Sequence, residues 1–233
     1  LSELNEASKK IITVEDPVEY RLPRINQVQV NAKIGLTFST VLRTALRQDP
    51  DIMMVGEMRD QETVEIGLRG ALTGHLVLST LHTNDAITSA LRLIDMGAAG
   101  FLVGSSLRAI IAQRLVRRIC ESCSQAYTPD PQELLWLANL AGEKVKTTQF
   151  VQGKGCQSCQ YTGYKGRVGV FELLEMNEPM MAALKRDDAE AFTTLSKANP
   201  SFTPLALSAF DYATQGVTTV EEVLRLVETV DVQ

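Results

Sequence analysis

Residues 52–60 read IMMVGEMRD: four apolar residues stop at Gly56-Glu57, and a charged Met-Arg-Asp follows. A short unbroken apolar run bounded by a turn residue is the pattern of a strand covered on both faces, as in a parallel sheet. Two neighbouring stretches repeat it. Upstream, 11–14 (IITV) is a β-branched run ending in Glu15-Asp16 and Pro17; downstream, 76–81 (LVLSTL) leads into His82-Thr83-Asn84.

Helical spacing fills the intervals. Phe38, Val41, Leu42, Ala45 and Leu46 recur at i, i+3, i+4, i+7 and i+8, with Thr37 as N-cap and Asp49-Pro50 closing the helix. A second helix runs over Val64, Leu68, Ala71 and Leu72 to Gly74, and a third, capped by Asn84 or Asp85, through Ile87, Leu91 and Ile94 to Gly97. Val28 and Val30 alternate with polar residues, as in a half-exposed strand. Strands alternating with helices specify an α/β fold with a parallel sheet covered on both faces.

The two ends read differently. LSELNEASKK resembles the end of a helix, so the chain is expected to begin inside a domain. Residues 107–119 are expected to form a helix with an Arg-rich end (Arg114, Arg117, Arg118). Beyond it the alternation stops. A cysteine-bearing stretch, 120–172, holds a short helical insertion near 134–140, and from Pro179 the pattern is helical only. The last helix opens with the capping-box spacing Thr219-x-x-Glu222 and is expected to bury Val220, Val223, Leu224 and Val227.

Composition narrows the class. With 45% hydrophobic and 22% charged residues in 233, the chain is an ordinary globular protein. A net charge of −5 leaves no overall basic signature, so a nucleic-acid surface would have to be local, and the arginines of 114–118 lack the interleaved aromatics of such a surface. No apolar run reaches the length of a membrane span and no signal peptide opens the chain, which makes the cytoplasm the expected compartment.

In an open parallel sheet, ligands sit beyond the carboxyl ends of the strands. The three strand ends here offer Glu15, Glu57 and His82. A carboxylate after an apolar strand is what Mg²⁺–nucleotide sites use, directly or through water, and a second can orient the attacking water. For Glu15 and Glu57 individually, a loop acid capping the next element is the alternative. The only two histidines, His75 and His82, flank one strand. Seven residues apart on an extended chain, they would stand about 23 Å from each other and cannot share a metal. His82, at the carboxyl end, is the better candidate for a γ-phosphate contact. Arg43, Arg47 and Arg69 read as solvated helix faces, while Arg59 suits a salt bridge or a charge-sensing role equally.

The four cysteines form two pairs, Cys120-x-x-Cys123 and Cys156-x-x-Cys159. Four thiolates from two such turns meet the tetrahedral preference of Zn²⁺ and leave no position for water, so the site would be structural. Free thiols and disulfides are the alternatives. The 32 residues between Cys123 and Cys156 require an inserted element.

At this point the residues identify a family. ITVEDPVEY (12–20), LRQDPDIMMVGEMRD (46–60), TGHLVLSTLHTNDA (73–86) and AQRLVRRICESC (112–123) closely resemble the motor ATPases of type II secretion and type IV pilus assembly, and the likeness continues through GCQSCQYTGYKGRVGVFELLE to about residue 175. The resemblance implies an incomplete RecA-like P-loop ATPase core over 1–118, a four-cysteine zinc module over 119–175 and an all-helical C-terminal subdomain over 176–233. It implies ATP with Mg²⁺ as cofactor and structural Zn²⁺ on Cys120, Cys123, Cys156 and Cys159. ITVEDPVEY looks like the family's aspartate box, with Glu15 as catalytic glutamate. IMMVGEMRD looks like its atypical Walker B, with glycine where most such motors carry aspartate, and TGHLVLSTLHTND like its histidine box.

By the same resemblance, Glu15, Glu57 and His82 are the catalytic candidates, and Glu57, Arg59, His75, Arg21 and Arg24 the nucleotide-binding ones, the last two reaching a neighbouring subunit's nucleotide. The family forms six-subunit rings that move an inner-membrane platform protein; neither nucleic acid nor membrane insertion is expected. The four cysteines point to an assembly motor rather than a retraction motor. A DNA-uptake or conjugation motor and a zinc-containing docking module without activity are the alternatives. One departure stands out. The sequence holds no Gly-Lys-Ser/Thr, the nearest being Gly153-Lys154-Gly155. The chain therefore reads as the part of such a motor that follows the phosphate-binding loop, inactive alone.

Overall fold

The computed structural model describes residues 1–228; the end of the expected helical tail, 229–233, lies outside the described residues. In chain order the elements are β1 (Ile11–Glu15), β2 (Asn26–Gln29), α1 (Phe38–Ala45), β3 (Ile52–Val55), α2 (Gln61–Leu72), β4 (Leu76–Ser79), α3 (Ala86–Asp95), α4 (Gly100–Ser106), β5 (Ala109–Ile119), β6 (Ser124–Tyr127), α5 (Pro131–Ala141), α6 (Lys144–Thr147), β7 (Phe150–Gly153), β8 (Tyr164–Glu175), α7 (Glu178–Lys185), α8 (Ala189–Lys197), α9 (Leu205–Thr214) and α10 (Val220–Glu228). They divide into two compact units.

The first unit comprises Leu1–Thr83, Ile87–Ala109 and Met176–Ala198. Its sheet runs β2-β1-β3-β4, every pair parallel, with Val14 opposite Val28 and Val55, and Val55 opposite Ser79. The central strands β1 and β3 bury Ile11, Ile12, Val14, Ile52, Met53 and Val55, whereas the edge strands are only half covered. That difference is why 52–55 reads as a continuous apolar run and 26–30 as an alternation.

Helix starts follow the sequence signals. Thr37 caps α1 in a reciprocal box with Thr40, and Asp60 caps α2 through the Thr63 N–H. Ala45 and Leu46 pack with Ile12, Met53 and Val77 in one cluster on the sheet. Elsewhere in the unit α4 meets α7 backbone to backbone: a β-carbon at Gly100 would lie 2.2 Å from the Leu184 carbonyl oxygen, and one at Gly104 2.6 Å from that of Met181. The opening LSELNEASKK forms only a 3₁₀ turn, Ser2–Leu4, with no buried residue. One apolar pair without a core to cover it does not sustain a helix.

The second unit comprises Asn84–Ala86, Ile110–Glu175 and Asn199–Gln233. Compactness thus cuts the chain differently from the linear segments 1–118, 119–175 and 176–233, because α7 and α8 return to the first unit. Here the structure corrects one expectation. Residues 109–119 are strand β5, paired with β8, and not a helix. The apolar residues of AIIAQRLVRRI satisfy both periods, with Ile111, Leu115 and Ile119 spaced as on a helix and Ala112 and Val116 alternating inward as on a strand. Pairing with β8, about fifty residues away in sequence, decides between them.

β6 and β7 pair antiparallel, with α5 and α6 inserted between them. Leu137, Phe150, Leu174, Phe210, Val220 and Val223 form the interior, Phe150 and Phe210 meeting edge to face at 6.1 Å. On α10, Leu226 is buried where Leu224 and Val227 are half-exposed. Its capping box is half made. Thr219 Oγ1 accepts the Glu222 N–H at 3.3 Å, but the Glu222 carboxylate turns to Arg117.

Candidate nucleotide and metal sites

The parallel register brings the carboxyl ends of β1, β3 and β4 level, and backbone bonds lock them together. Gly56 N–H donates to the Val14 carbonyl at 2.7 Å, Met58 N–H to the Thr80 carbonyl at 3.1 Å, and Thr80 Oγ1 to the Gly56 carbonyl at 2.6 Å. Gly56 has a steric reason: a β-carbon there would stand 3.2 Å from the Val14 carbonyl oxygen and 3.3 Å from the Glu15 Cα. At this position the chain runs against β1.

Glu57 follows, 9% exposed. One carboxylate oxygen pairs with Arg59 and the other lies 3.2 Å from His82 Nε2. The hydrogen bond from Arg59 is the main force holding the Glu57 carboxyl below the ordinary range. Burial opposes it and His82 assists it. Reciprocally, Glu57 raises Arg59. The acid is therefore charged and nearly dry while both partners are exposed. A divalent cation arriving at Glu57 would meet a preformed charge and compete with the two cationic or polar caps.

Glu15 ends β1. Its Oε1 accepts from Thr13 Oγ1 and, at 3.0 Å, from Gln27 Nε2; among the described residues no donor reaches Oε2. Glu15 and Gln27 line a cavity of about 440 Å³ whose walls include Tyr20, Leu22 and Met54. Arg21 and Arg24 lie exposed on the loop between β1 and β2, with Arg24 donating to the Asn5 carbonyl at 3.1 Å. His75 stands at the opposite, amino end of β4, its Nδ1 2.9 Å from the Gly70 carbonyl, where it closes the α2–β4 turn. The structure thus joins Glu57, His82 and Arg59, sets Glu15 at the end of the adjacent strand, and keeps His75 apart. Thr13, Gln27 and Thr80 are the polar residues that sequence reading passed over. The signal for Gln27 was only its place in a half-exposed alternation.

In the second unit the four cysteine sulfurs lie within 4.8 Å of one another. Cys120–Cys156 is 3.9 Å, Cys123–Cys159 3.8 Å and Cys156–Cys159 3.8 Å. Four sulfurs about 2.3 Å from a tetrahedral Zn²⁺ stand about 3.8 Å apart, so the donor set fits that ion. Backbone N–H groups supply the outer contacts, Gly155 to Cys123 at 3.3 Å and Cys156 and Gly163 to Cys159 at 3.2 and 3.3 Å. Those donors, led by the Cys156 N–H, pull the Cys159 thiol down to about 6, whereas removal from water pushes Cys123 up to about 11. Nearby, Arg117 lies over the Tyr164 ring and pairs with buried Glu222. That arginine is committed to the interior of the second unit.

Comparison with known proteins gives the family and the fold. A family model described as type II/IV secretion system protein covers residues 1–225. Type II secretion system protein E of Pseudomonas aeruginosa is 45% identical over 226 residues, 97% of this chain and 44% of that protein. The type IV pilus assembly ATPase PilB of Thermus thermophilus is 43% identical over 224 residues, 96% of this chain and 25% of that one. The chain therefore spans less than half the length of these curated relatives. Among solved structures, the pilus retraction motor PilT with bound ADP superposes with a TM-score of 0.66 at 29% identity, covering 94% of this chain and 52% of that one. The Legionella pneumophila ATPase DotB shares the fold at TM-score 0.67 and 22% identity, over 98% and 55% of the two chains. The chain belongs to the type II/IV secretion system protein family.

Proposed function

We propose that this chain is the catalytic and zinc-bearing part of an ATP-hydrolysing motor that drives type II secretion or type IV pilus assembly. The observation that carries the reading is Glu57, a buried carboxylate held charged at the carboxyl end of β3 beside His82. Mg²⁺, when bound with ATP, would neutralise the phosphate charge. Glu57 would hold the ion or its waters, Glu15 would orient and polarise the attacking water, and His82 would contact the γ-phosphate. Arg59 would exchange Glu57 for phosphate, and Arg21 and Arg24, on an exposed loop, suit contact with a neighbouring subunit's nucleotide.

The rest of the reading concerns the whole protein. Six subunits would form a ring at the cytoplasmic face of the inner membrane and act on a platform protein there. Among the described residues no helix is long and apolar enough to cross a membrane, in keeping with attachment through partners. Zn²⁺ on Cys120, Cys123, Cys156 and Cys159 would hold the second unit together. Because the sequence lacks Gly-Lys-Ser/Thr, the amides and lysine that cradle the phosphates would come from outside these 233 residues.

The test is phosphate release by the longer protein that carries the loop. Glu57→Gln is expected to lower kcat at least about 100-fold. Wild-type turnover by that variant would remove Glu57 from the site, and robust turnover by the 233-residue chain alone would refute the need for the loop.

A further inference from the structure

We propose that Gln27 is the positioning residue of Glu15, fixing one carboxylate oxygen and the β1–β2 loop with a single amide. The proposal rests on the reading of Glu15 as the residue that orients the attacking water, and it adds a residue that this reading leaves out.

The geometry is specific. Gln27 is half-buried on β2, the strand that pairs with β1, with Gln27 opposite Thr13. Its Nε2 donates to Glu15 Oε1 at 3.0 Å and to the Tyr20 carbonyl at 2.9 Å, and its Oε1 accepts the Leu22 N–H at 2.7 Å. The donor and acceptor ends of one amide thus reach a carboxylate and two backbone groups of the loop that follows it. Thr13, fully buried, donates to the same Oε1.

With two donors on Oε1 and, among the described residues, none on Oε2, the carboxylate is held by one oxygen. The other is left without a donor, and Glu15 lines a cavity together with Tyr20 and Leu22. A base acting on water needs this arrangement, because an acid free to rotate loses the alignment on which its contribution depends. The same amide ties the loop bearing Arg21 to the catalytic carboxylate, so movement of one is transmitted to the other. Only an amide serves: a carboxylate at position 27 could accept from Leu22 but could not donate to Glu15.

That difference supplies the test. Gln27→Glu keeps the Leu22 acceptor and removes both donors; Gln27→Leu removes all three bonds. Hydrogen exchange on this chain reports the loop through the Leu22 amide, and ATP turnover by the longer protein that carries the phosphate-binding loop reports the site. The expected result is Leu22 protection kept in Q27E and lost in Q27L, with kcat lowered about 10- to 100-fold in both variants and KM for ATP within about twofold of wild type. Wild-type kcat in Q27E would overturn the inference, as would a rise in KM that accounts for the whole loss, since Gln27 would then serve only the loop. Glu15→Gln separates this failure from that of the underlying reading. If E15Q turns over normally, Glu15 is not catalytic and the role of Gln27 falls with it. If E15Q is inactive while Q27E is fully active, only the inference about Gln27 fails.

Discussion

Glu57 Oε2 and His82 Nε2 meet at 3.2 Å across the carboxyl ends of β3 and β4, while Arg59 occupies the other Glu57 oxygen. The pair joins two segments 25 residues apart in sequence, and it makes the charge of Glu57 the electrostatic centre of the first unit's site. Its consequences can be measured without nucleotide.

The hydrogen bond from Arg59 is the largest influence holding the Glu57 carboxyl below its ordinary value of 4.5. A depressed folded-state pKa contributes stability that is complete above the unfolded value and is lost as pH falls through the folded one. Arg59→Ala is therefore expected to raise the Glu57 pKa and move this acid-side loss to higher pH. Carboxyl-carbon NMR titration of wild type and R59A checks the direction; an unchanged Glu57 titration would show that Arg59 is not its main partner.

Gly56 is expected to tolerate no side chain without cost. Its absent β-carbon would press on the Val14 carbonyl and Glu15 Cα, both backbone atoms of a central strand that cannot rotate away. Gly56→Ala and Gly56→Asp should each destabilise the chain by about 1–3 kcal/mol, read as a lower urea midpoint with unchanged slope.

The cysteine cluster predicts metal-linked stability. Protein prepared with zinc present should contain about one Zn²⁺ per chain by elemental analysis, and less than about half an equivalent would argue against the site. Chelation, or Cys159→Ser, should lower the melting temperature, because four thiols this close lose their common ligand and the turns at 120–123 and 156–159 lose their anchor.

Arg117 is expected to matter for stability rather than for ligand binding. It stacks 3.9 Å above the Tyr164 ring and gives Glu222 a backbone N–H at 2.7 Å and a side-chain Nε at 2.9 Å. Burial alone would push Glu222 up, and Arg117 is the main cause holding it below the usual range. Arg117→Ala removes the guanidinium and the ring contact but leaves that carboxylate the backbone N–H of residue 117 and Arg225, at a cost of about 1–3 kcal/mol in chemical denaturation. Arg117→Lys should recover only part of it, since lysine lacks the planar fork and the stacking face.

Much of this was legible in the residues. The strands β1 and β3 announced themselves by apolar runs because both their faces are covered, β4 by a run that its half-covered edge position does not require, and the polar residues after them marked their carboxyl ends, which the parallel register brings level. Position and spacing alone singled out Glu15, Glu57, His82 and the four cysteines, and the structure places Glu57 beside His82 and the four sulfurs within 4.8 Å of one another. β5 was not, since its apolar residues fit a helix and a strand equally until β8 supplies a partner. His75 and His82 were already expected at opposite ends of one strand, and the structure keeps His75 at the amino end of β4 against the Gly70 carbonyl. Gln27 and Thr80 carry no motif; their roles exist only as hydrogen bonds across a loop and between strand ends.

The sequence by itself determined the parallel sheet, the helix cap at Thr37, the acids at the strand ends and the pairing of the four cysteines into two CxxC turns, because each is set by local period, capping chemistry or residue spacing. The tertiary structure alone decided that Glu57 is shared between Arg59 and His82, that Gly56 runs tight against the β1 backbone, that 109–119 pairs as a strand, and that Glu222 belongs to Arg117. Each of those depends on groups distant in the chain, whose meeting is fixed by packing and strand register rather than by any one segment.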